Sequence, residues 1–390
     1  MLEKVLSGGR LYKAWMLLLL AIIGAGVICY LIQWFYGLGI TGMSRDVSWG
    51  LYLANFTFFV GVAASAVMVV LPYYLHNYKA FGKITIFGEF LAVSAVIMCI
   101  LFVTLDLGQP TRILNLVLHP NPGSILFWDV IVLSTYMVLN LVIAWHMLNA
   151  RRHGEAPKPW AKWLILISIP VAISIHTVTA FIYSGLAART FWLTALMAPR
   201  FLASAFASGP ALLIILCLIM KKFTSFDSGK EAINKLTQIV TYATIITVFF
   251  FIVELFTVFY SQIPEHMITF QYLLFGVDGN TALVPWMWTA IIFWIVAIVI
   301  LLTPSTRKKE TTVLIAMVLI FISMWIDKGM ALLIPGFIPS PLGHFTQYFP
   351  TAPEVFVTLG IWGIGFLVLT IFYKLAISVQ EEVGEEEPAH

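Results

Sequence analysis

Apolar runs of about twenty residues recur along this chain, each long enough to cross the hydrocarbon core of a bilayer as a helix. Inside lipid a backbone must satisfy its own N–H and C=O groups, which only a helix or a closed barrel achieves. The runs are continuous rather than alternating, so the expected fold is an all-α polytopic membrane protein. They fall at about 15–36, 49–76, 84–106, 125–149, 161–185, 198–220, 236–262, 285–303, 311–333 and 353–378, which makes about ten transmembrane helices. With 61% hydrophobic and 11% charged residues, no stretch remains for a soluble domain. Residues 1–390 read as one integral membrane domain with a short, solvated acidic tail at 379–390. The first run follows Lys4, Arg10 and Lys13 as a signal peptide would, but it is too long and lacks a small-residue cleavage site. It is expected to be retained.

Charge distribution sets the expected orientation. With the N-terminus in the cytoplasm, that terminus, the loops on the same side and Lys374 hold 17 of the 22 Lys and Arg residues. Arg45, Arg112, Arg189, Arg200 and Lys328 are left for the opposite side. The positive-inside rule then puts both termini in the cytoplasm of a multi-pass cytoplasmic-membrane protein. The net charge of +3 implies no nucleic-acid partner; the solvent is the lipid bilayer. Cys29, Cys99 and Cys217 lie apart inside apolar runs and form neither a cluster motif nor a disulfide framework.

Within that topology the polar residues gather at the outer side. Arg45, Asp46 and Trp49 open helix two, with Asn55 one to two turns below, and Gly50, Ala54, Gly61 and Ser65 make one small-residue face for close packing. Asp106 ends helix three, and Trp128 and Asp129 open helix four. His176 and Tyr183 occupy the outer half of helix five, Glu254 that of helix seven, and Arg189 and Arg200 bracket the loop between helices five and six. Ionisable groups at such depth cost about 2.5 to 3.5 kcal/mol each on insertion scales, so their crowding marks a site. Each taken singly also fits a helix-end anchor or an ion pair, and Asp327 with Lys328 near the end of helix nine reads as a self-neutralising pair.

A haem needs two axial ligands at one depth. His146 and His176, the histidines well inside apolar runs, differ in depth by roughly 15 to 20 Å at the helical rise. No haem, no metal site, no flavin motif and no nucleotide loop is expected. An amphipathic ring with an oxygen at each end fits better, and quinone is such a molecule. His176 is the candidate to bond one oxygen and exchange its proton. Asp46 or Asp129 is the candidate for the other, with Asn55 nearby and Trp49, Trp128 and Tyr183 as walls. Glu89, in the cytoplasmic half of helix three, is a candidate proton relay with Asp106, Glu254 and His146 as further steps. Each of these also fits a core residue satisfied by a neighbouring helix.

The segment Asp106–Trp128 carries Gly108 and Pro110, which stop helix three, and an apolar ILNLVL stretch that reads as a short interfacial helix. Its Asp106, Leu107, Gly108, Pro110 and Arg112, followed by Ser124 and Trp128, resemble the hallmark of the polysulfide reductase NrfD-like membrane subunits. GEFLAV around Glu89 and ISIHTVTAFIYSGL around His176 are similar to the branch associated with sulfite reduction. The resemblance spans nearly the whole chain, though Gln109 stands where many relatives carry a basic residue. It implies an NrfD-like helix-bundle subunit with no cofactor bound covalently or through a metal, which exchanges electrons between menaquinol and a [4Fe-4S] cluster. That cluster would sit in an extracytoplasmic iron–sulfur, ferredoxin-like partner docked near Arg45, Arg112, Arg189 and Arg200, with other membrane and cytochrome subunits alongside. Proton translocation is an open part of that expectation.

Two other classes compete. Ten helices, buried acids and the helix prolines Pro170 and Pro210 also suit a secondary transporter, although its polar groups would gather at the midplane. A structural membrane anchor without its own quinone site is the third reading.

Overall fold

The computed structural model describes residues 8–155 and 157–386. Among the described residues, ten helices are long and apolar enough to cross a membrane. They are α1 (Arg10–Tyr36), α2 (Leu51–Leu75), α3 (Thr85–Asp106), α4 (Ile125–Arg152), α5 (Pro159–Ser184), α6 (Met197–Phe223), α7 (Lys230–Ser261), α8 (Val284–Leu302), α9 (Glu310–Lys328) and α10 (Ala352–Glu386). Among the described residues the β-structure is one isolated bridge, Val277 with Asn280. The all-α fold expected from the apolar runs is therefore the one observed.

The helices form two four-helix bundles. In the first, α2 packs on α3, α3 on α4 and α4 on α5; in the second, α6 packs on α7, α7 on α8 and α8 on α9. Contacts of α6 with α9, α2 and α5 close the second bundle and join it to the first. Burial follows from this order, with 89% of the α2 span inside the protein against 22% of α4 and 28% of α8. The seam between the bundles is built from small residues. α2 is interrupted at Ala64, whose N–H turns back to Gly61 and Val62, and Gly209 of α6 presses on the break. A Cβ on Gly209 would lie 2.8 Å from both Ser65 N and Val62 O. Pro210 follows immediately inside α6.

α1 and α10 lie beside the first bundle as a pair, with α10 packed on α3. Only 11% of the α1 span is buried, and the remainder is apolar surface that suits lipid. Gly26 and Gly360 let the two backbones touch, since a Cβ on Gly360 would lie 2.9 Å from Gly26 Cα.

Three local features differ from the sequence expectation. The stretch after α7 holds a further helix, Pro264–Leu274, started by Pro264 at its first turn and buried through Thr269, Phe270, Tyr272, Leu273 and Leu274. The acidic tail is helical to Glu386, with Glu381 accepting from Ser225 and Glu382 3.8 Å from Arg152. Its last residues, 387–390, lie outside the described residues, as does Lys4. Asp327 and Lys328 do not form the expected pair, because Arg200 takes the Asp327 carboxylate.

The glycine contact yields a paired test. Gly360→Leu forces α1 away from α10 and is expected to lower the thermal midpoint of the detergent-solubilised protein, at a cost of about 1–3 kcal/mol for overpacking. Gly24→Ala, at a position with open space around it, is expected to leave the midpoint unchanged or slightly raised.

Candidate functional site

The end of the bundle where α2 begins, the upper end, is organised by a carboxylate from α10. Glu354 is fully buried, and its Oε1 accepts the Leu51 N–H at 3.1 Å and the Tyr348 hydroxyl, while Oε2 accepts the Gly42 N–H at 2.9 Å. A negative charge at the start of α2 also complements the helix dipole. The Leu51 N–H is shared with the Tyr348 oxygen at 2.7 Å. Burial, with the Glu354 carboxylate beside it, pushes the Tyr348 phenol above its usual range, so it remains a donor. Gly50 is obligatory here, because a Cβ would lie 2.6 Å from the Tyr348 oxygen and 2.8 Å from Glu354 Oε1.

One turn into α2, Asn55 ties three helices together. Its amide donates to Leu51 O at 2.7 Å, and its Oδ1 accepts the indole N–H groups of Trp325 and Trp362, both at 3.0 Å.

Just before α2, Trp49 stands among aromatic rings from distant parts of the chain. It stacks on Trp192 at 5.8 Å and meets Tyr183 and Phe337 edge-on at 6.0 and 5.5 Å. Trp192 is held by its N–H on Leu332 O at 2.9 Å, and the Tyr183 hydroxyl bonds Thr57 of α2. His176, Thr179 and Tyr183 share one face of α5, three and four residues apart, and all three are buried. Thr179 donates to Asp129 Oδ1 of α4 at 2.6 Å. Among the described residues, both ring nitrogens of His176 are without a hydrogen-bond partner.

Lys328 reaches this face of α5 by way of Phe201. Its ammonium donates to Phe201 O at 2.7 Å and sits 4.4 Å over the Phe201 ring, and Phe201 in turn contacts Tyr183 at 5.9 Å. Opposite it, a Cβ on Gly61 would meet Lys328 Nζ at 3.4 Å and Ser208 Oγ, itself without a partner, at 3.2 Å. A buried histidine, a lysine with donors to spare and an unsatisfied hydroxyl therefore lie at the seam, below a wall of aromatic rings. Such a set can bond polar oxygens and exchange protons with them.

The other residues singled out from the sequence lie elsewhere. Asp46 accepts from Thr346 at 3.1 Å beside the exposed Arg45. Trp128 is half-exposed, bonds Pro122 O at 2.8 Å and contacts the Phe127 ring. Asp106 keeps a buried, unpartnered oxygen at the top of α3. Glu89 is buried toward the lower end with an unpartnered oxygen, and Arg151 bonds Gly82 O near it. His146 is at the lower end, accepting the Lys158 N–H at 3.0 Å beside Trp160. Arg112 is exposed, and Arg189 lies 4.8 Å over the Phe337 ring. Arg200 faces inward, with Nη1 on Glu254 and Nη2 on Asp327, both at 2.5 Å. Lys328, Glu354, Tyr348, Trp192 and Ser208 were not singled out from the sequence as parts of a site. For Glu354 the one local signal was a carboxylate near the start of an apolar run.

This is the architecture of a polytopic membrane protein with polar and aromatic groups concentrated at one end of paired bundles. Residues 39–339 match the family described as polysulphide reductase, NrfD, and the chain belongs to that family. The matched region contains both four-helix bundles, while α1 and α10 flank it. The chain is 28% identical to a Halobacterium salinarum protein provisionally named as a membrane subunit of dimethyl sulfoxide reductase, over 93% of this chain and 91% of that one. It is 24% identical to the Hdr-like menaquinol oxidoreductase integral membrane subunit of Archaeoglobus fulgidus, with 98% of each chain covered. It is 22% identical to the menaquinone reductase integral membrane subunit of Nitratidesulfovibrio vulgaris, over 95% of this chain and 93% of that one.

Removing the carboxylate at the upper end tests its role. Glu354→Ala strands the Gly42 N–H and the Tyr348 hydroxyl and leaves the Leu51 N–H to the Tyr348 oxygen alone, at about 1–3 kcal/mol for each buried group left unpaired. The thermal midpoint in detergent is expected to fall sharply, and Tyr348→Phe is expected to lower it less.

Proposed function

We propose that this chain is the quinone-reactive membrane subunit of a respiratory redox complex, exchanging electrons between menaquinol and a partner [4Fe-4S] protein. The observation that carries the reading is His176, sealed below the aromatic wall with both ring nitrogens free of partners. Buried polar groups are ordinarily satisfied, so an unmet imidazole suits a site that takes a ligand. Two relatives carry menaquinol or menaquinone in their names, which supports that ligand.

In this reading His176 bonds one head-group oxygen and takes its proton, and Asp129, or Asp46 nearer the surface, serves the second. Trp49 and Tyr183 are walls, and Trp128 belongs to the rim. Oxidation breaks two O–H bonds, and two electrons pass singly to the partner's cluster. The charge split along the sequence favours an extracytoplasmic upper end and cytoplasmic termini. There the exposed Arg45 and Arg112 offer positive charge to an iron–sulfur subunit, with other membrane and cytochrome subunits beside it. Glu89 at the lower end is the group to carry protons across if the complex translocates them. The similarity of the segments around Glu89 and His176 to DsrP supports a place in a DsrMKJOP-type complex linked to sulfite and sulfate reduction.

The test is EPR of iron–sulfur reduction in the native complex on adding a reduced menaquinol analogue, with and without a quinol-site inhibitor. His176→Ala is expected to slow inhibitor-sensitive reduction about 100-fold or more, the scale of a lost proton-transfer group, while the subunit still inserts and assembles. Normal turnover in that variant would remove His176 from the mechanism.

A further inference from the structure

A cavity of about 350 Å³ opens at the upper end, against the segment that carries Trp192. Its lining comes from the segment 190–196, the upper part of α7 and the helix Pro264–Leu274, and includes Thr190, Thr194, Thr257, His266 and, from α7, Glu254. At about 30 Å³ per molecule it has room for roughly ten waters, and its hydroxyls, carboxylate and imidazole supply their partners.

Glu254 makes this space more than a surface dimple. Behind the cavity it holds Arg200, Arg200 holds Asp327, and Lys328 follows Asp327 in α9, its ammonium over the Phe201 ring that contacts Tyr183 on the face of α5 that carries His176. Two cations and two carboxylates make the buried cluster neutral. Asp327 has an oxygen, Oδ2, that is buried and without a partner among the described residues. A proton arriving there leaves a net positive charge inside the membrane, which is costly until it is passed on. Of the four groups, Glu254 is the one that lines the cavity.

We infer that this cavity is a water-filled exit for protons from the quinol site: Asp327 receives them, water passes them to Glu254 across the two carboxylates that Arg200 holds together without itself giving up a proton, and His266 passes them to the upper face. The inference rests on the quinone reading. That reaction breaks two O–H bonds in a space closed to solvent, sends the electrons to the partner's iron–sulfur carrier, and leaves two protons that need a route. The cluster and cavity provide one for at least one of them. His266, half-buried on the cavity wall, both accepts and donates protons and is not part of the quinol contact.

Two experiments on the intact complex test this. In membrane vesicles, Thr257→Cys is expected to react with a membrane-impermeant cationic methanethiosulfonate. Phe256→Cys, on the lipid-facing side of α7, is expected to react no more than the wild type. Equal labelling of the two would show that the cavity holds no water and would overturn the inference. His266→Ala is expected to lower the turnover of a reduced menaquinol analogue about tenfold at unchanged KM, with imidazole in the buffer restoring it. Wild-type turnover in His266→Ala, or loss that imidazole does not repair, would remove His266 and the route with it. A wild-type complex that does not oxidise the quinol would instead refute the preceding functional reading, an outcome the labelling result distinguishes.

Discussion

Everything at the upper end hangs on one buried carboxylate meeting the first turn of the most buried helix. Lipid offers no water to the free N–H groups of a helix start, so a partner must come from the protein itself. α2 has no capping side chain of its own, because Gly50 stands at the cap and a larger residue would collide with Tyr348 and Glu354. Glu354 crosses from α10 to fill that need. Asn55 repeats the arrangement one turn deeper, where a single amide oxygen gathers indoles from α9 and α10.

Much of this architecture was legible in the sequence, for a simple reason. A membrane helix is a local feature, so the length of each apolar run fixes its existence and approximate ends. Partnership between helices is not local, and there the reading stopped short. Asp327 and Lys328 are chain neighbours of opposite charge, yet Arg200, more than a hundred residues away, takes the carboxylate. Arg200 looked like an outer contact because it sits close to a loop, and only the packing of α6 against α7 and α9 reveals that it turns inward. The helix Pro264–Leu274 escaped because its sequence is too polar to look like a membrane run.

For the site, depth was readable and convergence was not. His176, Tyr183, Trp49 and Asp129 were expected on the outer side, and in the structure Tyr183 touches Trp49 and Asp129 is joined to α5 through Thr179. Trp128 shares their level but points to the periphery, a matter of rotation about α4 that no spacing rule specifies for a helix so little buried. Lys328 was missed for the opposite reason, since its adjacent acid seemed to account for its charge.

The contact of Gly26 with Gly360 has a consequence for how such a chain is made. α1 emerges early in synthesis, yet the helix it packs against most closely lies more than three hundred residues further on. Until α10 enters the bilayer, α1 has little to hold it except lipid, and α2 waits for the carboxylate that completes its first turn. Assembly of the upper end is therefore a closing step, in which the two flanking helices lock the matched core between them. A ribosome that stalls before Glu354 leaves both bundles inserted but the entrance to α2 unfinished.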